Sequence, residues 1–145
     1  MLNDIAGVLN FNERRVCKRK LIEFSHRFPA LFFSVYLDVA KDYEEADSKS
    51  LWLLNKADFT DLPHEAHPQY GILLYIDANK KSIALSYGEG LSRYMTGKDT
   101  YGFLKSAHSD LIKGHYIEGI KKVLKRTSNH LSFQCQGLKK RTTSV

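Results

Sequence analysis

Between Asn10 and Pro29 the apolar residues return at helical intervals. Val16, Leu21, Phe24 and Phe28 would share one face, with Arg14, Arg15, Lys18, Arg19 and Lys20 on the others. Asn10 and Glu13 stand at the spacing of a capping box, in which one side chain caps the first turn and the other reaches back. Pro29 stops this helix, because the residue before a proline avoids α backbone. The pattern then changes to an almost unbroken apolar run, Leu31–Leu37, of strand length. An acidic stretch follows, and Ala46, Leu51, Trp52 and Leu54 mark a second helix over Tyr43–Ala57. A polar loop, Thr60–Gln69, leads to Gly71–Asp77, the clearest strand in the chain.

Ala78–Lys81 supplies a turn, and Ser82–Tyr87 returns as a hairpin partner, closed by Gly88-Glu89-Gly90. A short helical turn over Leu91–Met95 precedes a helix capped by Asp99 or Thr100, with Phe103, Leu104, Ala107, Leu111 and Ile112 on its buried side. Gly114 breaks that helix, and Tyr116, Ile117, Ile120, Val123 and Leu124 pattern a last one. Beyond Asn129 the chain reads as irregular. Residues 1–129 therefore form one domain and residues 130–145 a basic, flexible tail. The order helix, strand, helix, hairpin, helices belongs to the α/β class.

Composition changes this picture little. A chain of 145 residues fits a single domain, and 43% hydrophobic with 26% charged residues is ordinary for a globular protein. No run approaches the roughly 20 apolar residues of a membrane span. Met1-Leu2-Asn3-Asp4 opens without a basic-then-apolar signal pattern, so the chain as given reads as cytoplasmic. Cys17 and Cys135 lack metal-ligand spacing and read as free thiols.

Charge adds more. The net charge is +6, and it is divided unevenly: through Glu65 there are 9 basic and 11 acidic residues, afterwards 13 and 5, and none is acidic beyond Glu118. Arg14-Arg15 with Lys18-Arg19-Lys20, and Lys121-Lys122 with Lys125-Arg126, are the strongest charge features. They suit a solvated helix face, or a surface for an acidic protein, an anionic membrane or nucleic acid. Aromatics are not interleaved with them as stacking platforms would be.

Asn3-Asp4-Ile5-Ala6-Gly7-Val8-Leu9 before Glu13 and the basic helix, Gly71-Ile72-Leu73-Leu74 with the hairpin and Gly88-Glu89-Gly90-Leu91, and Gly114-His115-Tyr116-Ile117-Glu118-Gly119-Ile120 stand in that order along the chain. Together these three segments resemble the TPM domain, a family named for thylakoid, photosystem-repair and receptor-modulating members. The resemblance spans about Leu2–Leu124. It implies a three-layer α/β/α sandwich whose central mixed sheet contains a hairpin and is flanked by helices, in agreement with the element order. It also implies an envelope setting and a phosphatase or divalent-metal role. Where the family tends to place an acid after the residue corresponding to Leu91, this chain has Ser92. Before Tyr116, where the family tends to have Asp, it has His115, and the family's proline in that segment corresponds to Ser109.

Metal-dependent phosphoryl chemistry needs several oxygen ligands converging on a hard cation such as Ca²⁺ or Mg²⁺. Asp4, Asp38 and Asp99 are the candidate ligands; Asp4 and Asp99 match family positions and Asp38 follows a strand. The other reading makes Asp4 and Asp99 helix or turn caps. His64 and His67, near Asp61, lack the His-Glu-x-x-His spacing of zinc proteases. His108 and His115 are acid–base candidates without an identifiable nucleophile. Gly88-Glu89-Gly90 fails as a dinucleotide loop, because Arg93 stands at the third glycine position. The reading that follows is a non-catalytic TPM-type accessory module with a protein partner and a loop-bound divalent ion. The alternatives are a metal-dependent phosphatase with a reduced acidic site and a basic-surface binder of an acidic partner or nucleic acid.

Overall fold

The computed structural model describes residues 1–40, 44–56 and 68–143, with the side chains of 56, 68 and 135–143 outside that description. Along the chain come β1 (Leu2–Asp4), α1 (Phe11–Arg27), β2 (Phe32–Asp38), α2 (Ala46–Lys56), β3 (Gly71–Asp77), β4 (Ser82–Tyr87), α3 (Gly97–Ile112) and α4 (Tyr116–Thr143). Short 3₁₀ turns at Pro68–Tyr70 and Glu89–Leu91 bracket the hairpin. The sheet order is β1-β2-β3-β4, with β1, β2 and β3 parallel and β4 antiparallel to β3.

Two cores explain the three layers. Val35, Leu37, Ile72, Leu74 and Ile76 face a large cluster that includes Leu21 and Phe24 of α1, Phe103 and Ala107 of α3, and Ile120 and Val123 of α4. On the opposite face Phe32, Leu73, Tyr75 and Ala84 pack with Leu54 of α2. Helices therefore cover both faces, and the expected α/β/α sandwich around a mixed sheet is the observed architecture. All seven residues of β3 are buried, as a central strand between two helical layers requires, which is why it reads as a continuous apolar run.

Local chemistry sets the helix starts. The Asn10–Glu13 capping box forms as expected, with Glu13 N donating to Asn10 Oδ1 at 2.9 Å and Asn10 N to Glu13 Oε1 at 3.0 Å. For α3 the cap is Thr96, with Asp99 as its reciprocal partner, rather than Asp99 or Thr100. Within α1 the fully buried position is Cys17, while Val16 is half-buried.

Two expectations change. The N-terminal segment contributes an edge strand: β1 lies in register with Val35–Leu37, a pairing that three residues without alternation do not announce. The chain past Asn129 is not irregular, because α4 continues to Thr143. Leu124, Thr127 and Leu131 prolong its inward stripe, and Leu131 is buried in the main core. The boundary at 129/130 thus falls inside one helix. Tyr43, Ala57 and nearly all of the Thr60–Gln69 loop, including Asp61, His64 and His67, lie outside the described residues. The Cys135 side chain does too. Cys17 is a buried free thiol.

Parallel pairing of β1, β2 and β3 gives the sheet two chemically different ends. Asp4, Asp38 and Asp77 close the three strands at the carboxyl-terminal end, where Asp38 and Asp77 are register partners. At the other end the loop from Phe28 to Leu31 enters β2, Tyr70 enters β3 and β4 leaves. Gly88 N donates there to Gly71 O at 3.0 Å.

Candidate functional site

Each carboxylate at the carboxyl-terminal end serves a different local structure. Asp4 accepts from Val8 N at 3.1 Å and Leu9 N at 3.0 Å, holding the turn before α1. Its Oδ2 lies 3.4 Å from Arg14 Nη2, and the side chain is only 4% exposed. Gly7 makes this turn possible with φ of +65°, a conformation that glycine adopts without strain. Asp38 accepts from Tyr75 Oη at 2.7 Å and its own neighbour Val39 N at 2.9 Å, with Lys49 Nζ at 3.5 Å. Asp77 Oδ1 accepts from Asn79 N at 2.9 Å and Lys80 N at 3.1 Å, shaping the hairpin turn.

Strand alternation separates these acids further. Asp4 pairs in register with Leu37, whose side chain joins the α1/α3/α4 core, whereas Asp38 bonds Tyr75 on the α2 face. Asp4 and Asp38 therefore serve opposite faces.

Asp99 is elsewhere. It belongs to the first turn of α3, beyond the point where β4 leaves the sheet, and so lies at the amino-terminal end. Its Oδ2 accepts from Thr96 N at 2.9 Å and lies 3.5 Å from His130 Nε2. The proposed trio of Asp4, Asp38 and Asp99 is thus not brought together. Among the described residues no group of three or more His, Cys, Asp or Glu side chains could hold a metal ion. Asp4 holds the turn before α1, and Asp99 is the reciprocal partner of the Thr96 cap. His108 and His115 are both exposed.

Sequence reasoning missed His130, which α4 carries to the amino-terminal end. Its Nε2 is 2.6 Å from Tyr94 O, and its ring meets Phe103 edge-on at a centroid distance of 5.5 Å. Its signal is hidden because the residues beyond Asn129 carry no strong local periodicity.

Lys20 of the first basic run meets Lys121 and Lys125 of the second across a groove between α1 and α4. Lys20 and Arg27 stand on one side, Lys121 and Lys125 on the other, over a floor of Phe24 and Leu124, and the only carboxylate among the described lining residues is Glu23. Lys20 lies 3.4 Å from Glu23 and Lys121 lies 3.4 Å from Glu118. Such exposed pairs contribute little and leave the cations available. Lys122 instead bonds Asp110 of α3, and this hydrogen bond holds the Asp110 carboxyl below the usual range.

Beside this groove, at the amino-terminal end of the sheet, opens a cavity of about 710 Å³. Its walls include Phe28, Leu31, Tyr70, Leu91, Tyr94 and Leu131, and Arg27 and Arg93 stand among them. Tyr70 packs so closely on Gly90 that a Cβ there would lie 2.5 Å from the ring.

No protein-family model matches the chain, and no curated protein does. Solved structures do. The N-terminal domain of a protein from P. gingivalis superposes with a TM-score of 0.73 at 18% identity, covering 90% of this chain and 80% of that one. The BA42 protein of the psychrophilic bacterium Bizionia argentinensis gives a TM-score of 0.73 at 11% identity, over 90% of this chain and 86% of that one. Both support the α/β/α fold, and at such identities the likeness concerns the fold alone. No helix among the described residues is long and apolar enough to cross a membrane.

Proposed function

We propose that this chain is a TPM-type domain acting as a non-catalytic binding module, and that its recognition surface is the basic α1–α4 groove. The observation that carries this reading is the meeting of Lys20, Arg27, Lys121 and Lys125 across one groove whose described lining has a single carboxylate. The partner that fits is an acidic segment of a protein. Phe24 and Leu124 form a buried floor with no exposed ring on which bases would stack, which favours peptide over nucleic acid.

Titrating a short glutamate-rich peptide into the protein tests this. Binding should weaken as salt rises and fall about tenfold, or about 1.4 kcal/mol, in Lys121→Ser/Lys125→Ser. Affinity unchanged in that variant sinks the proposal. Tighter binding of a single-stranded oligonucleotide than of the peptide would instead favour nucleic acid.

The phosphatase alternative requires converging oxygen ligands. Asp4, Asp38 and Asp99 each hold separate local structures, so the geometry lends that alternative no support. Saturable Ca²⁺ or Mg²⁺ binding abolished by Asp38→Asn would revive it.

A further inference from the structure

The cavity at the amino-terminal end of the sheet differs from the groove beside it. Its volume of about 710 Å³ lies within the ~300–1,000 Å³ typical of small-molecule sites. Three aromatic rings and three leucines make up half of its lining residues, and the described lining contains no carboxylate. Its charged groups are Arg27 and Arg93, and neither has an ion-pair partner among the described residues. The Arg27 guanidinium lies 5.6 Å from the centre of the Phe28 ring, which holds it beside the apolar wall. Ser132, half-buried, adds a hydroxyl.

An open, largely apolar cavity with guanidinium groups that have no ion-pair partner among the described residues complements one kind of ligand. The body must be apolar and the head must be an anion able to take paired N–H donors, as a carboxylate does. We infer that this cavity is a binding site for a small amphipathic carboxylate, its apolar body against Phe28, Leu31, Tyr70 and Leu131 and its carboxylate held by Arg27 and Arg93. Nothing in this inference depends on the acidic-peptide groove. Of the two arginines Arg27 also lines that groove, whereas Arg93 lines the cavity only.

The site is built by packing rather than by a motif. Arg27 and Phe28 come from the end of α1, Tyr70 from the turn before β3, Arg93 and Tyr94 from the turn after β4, and Leu131 and Ser132 from the distal part of α4. His130 fastens α4 to Tyr94 and so keeps the last two groups in place.

The test is calorimetric and NMR titration of decanoate, below its aggregation threshold, beside uncharged decanol as the control. Decanoate should bind saturably at one site, at least about tenfold more tightly than decanol, a margin of about 1.4 kcal/mol. Arg93→Gln should remove most of that preference and leave decanol binding unchanged. Ala30→Trp, at an exposed lining position, should fill the chamber and abolish binding of both, while circular dichroism and melting temperature show the chain folded. Absence of saturable decanoate binding overturns the inference. So does equal affinity for acid and alcohol, or binding that survives Ala30→Trp. A peptide ending in an apolar residue with a free carboxylate that binds where decanoate does not would also overturn it, assigning the cavity to a chain terminus. Lys121→Ser/Lys125→Ser should leave decanoate binding intact, which separates failure here from failure of the groove.

Discussion

The two ends of the sheet use charge in opposite ways. At the carboxyl-terminal end Asp4, Asp38 and Asp77 each accept from backbone N–H groups, Asp38 also accepts from a tyrosine hydroxyl, and Asp4 and Asp38 each lie beside a cation. At the amino-terminal end Arg27 and Arg93 stand at an apolar cavity with no described counter-ion. The lesson is that charge density alone does not mark a site. A carboxylate with its acceptor sites filled is structural, whereas a guanidinium beside an apolar chamber remains free to meet a ligand.

The largest test of this contrast is Asp4→Ala. It removes two backbone acceptors and the Arg14 partner from a nearly buried position, and should destabilise the protein by roughly 2–3 kcal/mol in chemical denaturation. A loss below about 0.5 kcal/mol, the range of an ordinary surface change, would mean that Asp4 is held for another purpose.

Cys17, buried in the core behind that end, gives a pH test of similar size. Burial pushes its thiol up to about 11 from an ordinary 9.0. The unfolded chain therefore ionises first, so the stabilising contribution is complete below pH 9 and is lost as pH rises towards about 11. Relative to Cys17→Ala, the native chain should lose about 2–3 kcal/mol over that interval. Parallel stability–pH curves for the two proteins would contradict the burial of this thiol.

At the other end, Gly90→Ala sets a Cβ 2.5 Å from the Tyr70 ring and 2.8 Å from Gln69 O. It should cost about 1–3 kcal/mol and displace the tyrosine that walls the cavity, visible in the chemical shifts of its ring. A smaller effect is expected from Thr127→Val. Thr127 Oγ1 is buried without a hydrogen-bond partner among the described residues, so the isosteric valine should stabilise the chain by about 1 kcal/mol. The smallest change is Arg93→Gln, within about 0.5 kcal/mol in stability. A large loss there would show that the arginine is structural and would erase the contrast between the two ends.

Much of the architecture was legible in the chain. The capping pair Asn10 and Glu13, the apolar runs of β2 and β3, and the alternation through Ser82–Tyr87 are local signals, and local signals survive folding when packing agrees with them. The edge strand β1 escaped because three residues carry no periodicity and their pairing comes from Val35–Leu37. The continuation of α4 escaped because Leu131 is placed by its contact with the core and not by a strong local pattern. Asp99 was legible as an acid at a helix start. Its remoteness from Asp4 was not, since that depends on the direction in which β4 leaves the sheet.

By itself, then, the sequence determined α1 with its capping box, the buried central strands, the hairpin and the two basic runs. These depend on periodicity, backbone capping and charge within a few residues. Only the tertiary structure decided that the acids divide between faces and ends of the sheet, that Lys20 and Arg27 share a groove with Lys121 and Lys125, and that α1, α4 and two turns line an open cavity beside Arg27 and Arg93. Those outcomes depend on strand direction and on which helix faces meet, and residues far apart in sequence settle both.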